Sequence, residues 1–105
     1  MGRSVEDRHL RNLPVHMRES LKAYVERGIP VGDFLRLCIE NDYYHAAARA
    51  DVPNQYALFD YIYFFHNYAP AQCHGSPENY NAWIKYHALE REEALKNAPA
   101  PDPAA

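Results

Sequence analysis

Apolar residues recur along most of the chain at three- and four-residue intervals, the spacing of helices with one buried face. Met17, Leu21, Tyr24 and Val25 form the first stripe, on a helix opened by Leu13-Pro14, since Pro is tolerated in a first turn. Gly28 follows the stripe where a left-handed residue closes a helix. Ile29 is placed to pack back on Tyr24, and Pro30 bars continuation. Gly32-Asp33 opens a second helix, with Phe34, Leu35, Cys38 and Ile39 on one face and Leu37 widening it. Asn41-Asp42 reads as a joint, because Asn tolerates a left-handed helix end and Asp caps the next N-terminus. A short third helix is expected from Tyr43 to about Arg49, with Ala46, Ala47 and Ala48 allowing close approach.

Asp51 is the next cap, with Pro53 in the first turn, and a fourth helix is expected from about Val52 to Asn67. Seven of the thirteen residues from Tyr56 to Tyr68 are Tyr or Phe. Read alone, that run suits a strand; the cap, the first-turn Pro and the length predict a helix. After a loop from Tyr68 to Gly75, Ser76-Pro77-Glu78 combines a Ser cap, Pro and an acid in the first turn. Tyr80, Trp83, Ile84 and His87 mark the buried face of that last helix. The pattern predicts an all-α fold, a compact bundle of four to five helices with the aromatic-rich helix at its centre. Residues 1–13 read as a flexible basic arm, 14–96 as a single helical domain and 97–105 as a disordered Ala/Pro tail.

The aromatic helix is apolar nearly all round, which places it at the centre of a core or under another subunit. Leu58, Tyr61, Ile62 and Phe65 make one face and are expected to be core. Tyr56, Phe59, Tyr63 and Phe64 make a second, expected to bind a partner, because aromatic rings give large contact area with little loss of entropy. Either a host protein or a second copy of the chain suits that face.

Composition narrows the function classes. The chain has 105 residues, a net charge of −3 and a pI near 6.0, a balance that argues against a dedicated nucleic-acid binder. Charge is uneven: residues 1–27 carry a net +2, residues 28–60 −3 and residues 61–105 −2. No apolar run reaches the roughly 20 residues that span a bilayer, and no signal-peptide pattern is present. Two cysteines, Cys38 and Cys73, are too few for a disulfide framework, so a cytoplasmic location is expected.

Candidate chemistry is sparse. The histidines His9, His16, His45, His66, His74 and His87 include no pair with zinc-enzyme spacing; a composite site from His45, His66, Cys73 and His74 is the one metal arrangement worth weighing. Cys73 beside His74 suggests a thiolate nucleophile but lacks an evident third partner. Ser76 and the acids Asp42 and Asp51 are accounted for as caps. No glycine-rich phosphate loop occurs. The helix–Asn41-Asp42–helix segment loosely suits a DNA-reading motif, but its second helix holds one cation, Arg49. No cofactor, metal site or catalytic residue is expected.

Several strings together resemble a group of small, uncharacterised helical proteins encoded by phages and prophages. They are Gly28-Ile29-Pro30-Val31-Gly32-Asp33-Phe34-Leu35, Glu40-Asn41-Asp42, Arg49-Ala50-Asp51, His66-Asn67-Tyr68-Ala69-Pro70 and Cys73-His74-Gly75-Ser76-Pro77-Glu78 followed by Trp83. The resemblance spans about residues 15 to 86. It implies a mobile-element origin in a bacterial host and transfers no functional residue. The reading favoured is a non-enzymatic protein that binds a host protein, such as a counter-defence, anti-CRISPR-like inhibitor. The alternative is an oligomer that sequesters a nucleotide signal between subunits, with Tyr or Trp stacking on a base and Arg on phosphate. A metal-dependent hydrolase is the weaker third reading.

Overall fold

A computed structural model describes residues 5–97; the expected disordered tail at 98–105 and residues 1–4 of the expected arm lie outside them. Six helices follow one another: α1 (Val15–Arg27), α2 (Asp33–Ile39), α3 (Tyr43–Arg49), α4 (Val52–Tyr56), α5 (Leu58–Tyr68) and α6 (Pro77–Asn97). Short 3-10 turns, Asp7–Leu10 and Ala71–Cys73, precede α1 and α6. No strand occurs among the described residues, and the fold is all-α with the aromatic cluster on α5. No described helix is long and apolar enough to cross a membrane.

Helix ends sit where local chemistry puts them. Gly28 is left-handed at φ 65°, and its N–H donates to the Tyr24 carbonyl at 2.8 Å, closing α1. Asn41 is left-handed at φ 65° and ends α2. Asp42, Asp51 and Ser76 each accept a backbone N–H three residues on, from His45 at 3.3 Å, Asn54 at 3.0 Å and Asn79 at 3.1 Å. These bonds satisfy N–H groups that the first helical turn leaves without partners.

Two expectations are corrected. Residues 5–13 are no free arm: Val5, Leu10 and Leu13 are buried in the core. The Val5 N–H donates to Glu26 at 2.7 Å, Arg18 donates to the Leu13 and Arg11 carbonyls at 2.9 Å, and His9 stacks on Tyr68 with centroids 4.2 Å apart. Three apolar side chains spaced five and three apart carry no helical period, so only their tertiary seat reveals them. The expected helix from Val52 to Asn67 breaks at Ala57, which takes φ −95°, ψ 4°, so the bundle has six helices. The break seats Asn54 inside the core, where its Oδ1 accepts the Tyr61 hydroxyl at 2.7 Å.

Further buried polar bonds join distant segments. The Tyr24 hydroxyl donates to the Cys73 carbonyl at 2.7 Å, fixing the loop before α6. Trp83 Nε1 donates to the Tyr24 carbonyl at 2.9 Å, and the Arg91 guanidinium donates to the Arg27 carbonyl. In this way α6 gives the Tyr24 carbonyl a second donor beside Gly28 and gives the Arg27 carbonyl, at the end of α1, a side-chain donor. The approach is close: a Cβ on Gly28 would lie 2.6 Å from the His87 Cβ.

Candidate functional site

Helix α5 decides which rings are core and which are surface. Tyr61, Phe64 and Phe65 are buried and Leu58 is half-buried. At roughly 100° per residue, these four lie in one arc centred on Tyr61. That arc corrects the expected faces at two positions. Phe64, expected on the partner face, is 1% exposed, while Ile62, expected in the core, is 43% exposed. On that spacing Ile62 falls about 100° from Tyr61, outside the arc, and Phe64 about 60° from it, so Phe64 edges against Phe65 at 5.4 Å and packs with the core.

The other three expected contact residues lie outside. Tyr56 is 86%, Phe59 71% and Tyr63 48% exposed. Phe59, Ile62 and Tyr63 stand at i, i+3 and i+4 on the outer side of α5, one neighbouring set. Tyr56 continues the surface onto α4, where it lines a shallow groove with Val15 and Pro53. The exposed face thus mixes three aromatic rings with Ile62 and Val15, all on or beside helices anchored by the buried arc.

Phe59 and Tyr63 also form one wall of a cleft of about 490 Å³ between α5 and the N-terminal segment. Arg8 and Arg11 stand on the facing wall, and His9, Asn12, Asp60 and Tyr68 also line the cleft. Sequence reasoning did not bring these arginines to α5, because the segment that carries them reads as an arm. The signal that could have found them is the buried Val5, Leu10 and Leu13 set, three apolar residues amid cations.

The remaining candidates separate. Cys73 is buried, and burial pushes its thiol up to about 12, as it does for Cys38; neither is a thiolate near neutral pH. His74 lies against the Phe65 ring at 5.3 Å, and burial lowers its pKa. His45 is engaged by Asp42 at 2.9 Å on the surface. Among the described residues, no group of three or more His, Cys, Asp or Glu is placed to hold a metal ion. Arg49, the one cation of the helix weighed for DNA reading, is paired with Asp33 at 3.0 Å. Against α6, a second cleft of about 480 Å³ is lined by Trp83, Tyr86, His87 and Glu90. His87 is buried there, its Nε2 lacks a hydrogen-bond partner among the described residues, and burial lowers its pKa.

No family model, curated protein or solved structure matches the chain.

Proposed function

We propose that this chain is a small non-enzymatic binding protein that docks on a protein partner through the outer face of α4 and α5. The observation that supports it is the exposure of Phe59, Ile62 and Tyr63 on the outer side of α5, with Tyr56 exposed on the adjoining α4. A core arc of Leu58, Tyr61, Phe64 and Phe65 already holds α5 in place, so the outer rings are surplus to folding. Large exposed apolar patches on small proteins mark interaction sites, and aromatic residues dominate the energetics of such contacts. The partner proposed is a host protein in the cytoplasm of a bacterial cell, and the role a counter-defence inhibitor. That part rests on the resemblance to phage and prophage proteins.

The test is a pull-down from host lysate with native mass spectrometry, run with wild type, Tyr56→Ala and Phe59→Ala. A stoichiometric complex that both substitutions weaken, while the melting temperature stays within a few degrees of wild type, supports the reading. A complex indifferent to both variants refutes this face as the contact. A second copy of the chain as the only recovered partner redirects the reading to self-assembly.

A further inference from the structure

We propose that the cleft between the N-terminal segment and α5 binds a free mononucleotide. Arg8 and Arg11 hold the phosphate, the base lies against Phe59 and Tyr63, and Asp60 takes a donor group of the base or ribose. The proposal shares Phe59 and Tyr63 with the protein-docking face and adds the cations of the N-terminal segment, which are not part of that face.

The cleft has a suitable size. Its volume of about 490 Å³ falls within the roughly 300–1,000 Å³ range of small-molecule sites. The fold also segregates the chemistry a nucleotide needs. Cations come from the segment around the Asp7–Leu10 turn, and rings come from α5. A guanidinium offers a planar fork of donors that matches phosphate oxygens. Phe59 and Tyr63, one helical turn apart, offer apolar ring surface to a base.

The two charges that oppose an anion decide the orientation. Arg8 is paired with Glu6, but both side chains are more than half exposed, and such pairs are weak in water. A doubly charged phosphate competes well for that guanidinium. Among the described residues the Arg11 guanidinium makes no ion pair. Asp60 repels phosphate, so the phosphate lies toward the arginines and the base or sugar toward Asp60. A carboxylate accepts hydrogen bonds from an exocyclic amine or a ribose hydroxyl and repels a bare anion. Inorganic phosphate alone therefore satisfies half the site. With two cations in the cleft and a net charge of −3 on the chain, a polynucleotide lacks the multiple backbone contacts it requires.

The backbone behind both walls is anchored before a ligand arrives. Leu10 and Leu13 bury the segment on either side of Arg11, and Arg18 holds the Arg11 carbonyl at 2.9 Å. The stack of His9 on Tyr68 joins the first 3-10 turn to the end of α5. The backbone that carries the arginines is thus fixed, and binding has only their exposed side chains to order.

The experiment is a thermal-shift and calorimetric titration of the full chain with AMP and GMP, beside adenosine, inorganic phosphate and a short oligonucleotide. A saturable rise in melting temperature with AMP or GMP is expected, with adenosine and phosphate each at least tenfold weaker. Arg8→Ala with Arg11→Ala should weaken nucleotide binding at least tenfold without changing the melting temperature of the free protein. Phe59→Ala should weaken it by a similar factor, and Tyr56→Ala, whose ring lies outside the cleft, should leave it unchanged. No response to either mononucleotide at about 1 mM, the weak end of specific binding, overturns the proposal. So does a response that the arginine variant retains, or one confined to the oligonucleotide. Tyr56→Ala reads the docking face alone and the arginine variant the cleft alone, so partner capture unchanged by the first sinks only the docking reading, and nucleotide binding unchanged by the second sinks only this one.

Discussion

Gly28→Ala tests whether α6 is docked on the end of α1 as described. Two costs add at this position. The backbone stands at φ 65°, and a left-handed conformation costs an L-residue about 1–2 kcal/mol. The new methyl group would also lie 2.6 Å from the His87 Cβ and 2.9 Å from two further His87 ring atoms. A Cβ–Cβ separation that short cannot stand, and the neighbour is no flexible tip: the His87 Cβ is fixed to the α6 backbone. Relief requires α6 to shift, which strains the Trp83–Tyr24 and Arg91–Arg27 bonds; overpacking of this kind costs about 1–3 kcal/mol. The expected total is about 2–5 kcal/mol. With about 4–8 °C per kcal/mol for a domain near this size, the melting temperature should fall by at least about 8 °C in calorimetry or circular dichroism. Repeating the change in a His87→Gly background separates the two costs. Backbone strain persists there while the opposing Cβ and ring are both removed, so the double mutant should recover at least about 1 kcal/mol relative to additivity. A Gly28→Ala protein that melts within about 2 °C of wild type refutes the α1–α6 contact.

Other perturbations read other parts of the fold. Tyr61→Phe leaves the buried Asn54 Oδ1 without its donor and should cost about 1–3 kcal/mol in urea unfolding; an unchanged midpoint would show that Asn54 finds another partner. Phe64→Ala should cost about 3–5 kcal/mol, whereas Phe59→Ala and Tyr63→Ala, on exposed rings, should each stay within about 1 kcal/mol, and equal losses at all three would refute the assigned arc. Burial lowers the His87 pKa, with Glu90 opposing and Arg91 reinforcing the shift, so the unfolded chain takes up its proton first as pH falls. The contribution of this group to stability is present above about pH 6.5, the ordinary value for His, and is lost as pH drops through the lower folded value. Urea midpoints should therefore fall from pH 7.5 toward pH 5, less steeply in His87→Gln, and an identical slope in that variant would remove His87 as a source. Cys38 and Cys73, buried and pushed up to about 12, should resist a thiol reagent at pH 8 until the protein unfolds, and rapid labelling of the native protein would contradict their placement.

Helix ends were legible in the sequence by itself. Gly28, Asn41, Asp42, Asp51 and Ser76 act on groups within about four residues of themselves, so their roles follow from local geometry alone. The class of the fold and the buried faces of α1, α2 and α6 were legible for a related reason: each has polar residues on one side, which leaves a single apolar stripe to bury. Helix α5 has only a narrow polar strip, Asp60 and Asn67, with Tyr, Phe and Ile over most of the rest. Its periodicity cannot say which arc faces the core, and so the places of Ile62 and Phe64 were exchanged. Phe59, Tyr63 and Tyr56 were legible as outer candidates, but the arginines opposite them were not. Only tertiary structure seats Val5, Leu10 and Leu13, and with them Arg8 and Arg11, because their stabilisation comes from surfaces well removed in sequence. The same holds for the Tyr24 bond to Cys73 and the Trp83 bond to Tyr24, which span 49 and 59 residues. A donor that distant leaves no local pattern. It becomes readable once the packed helices bring the two groups within about 3 Å, the reach of a hydrogen bond.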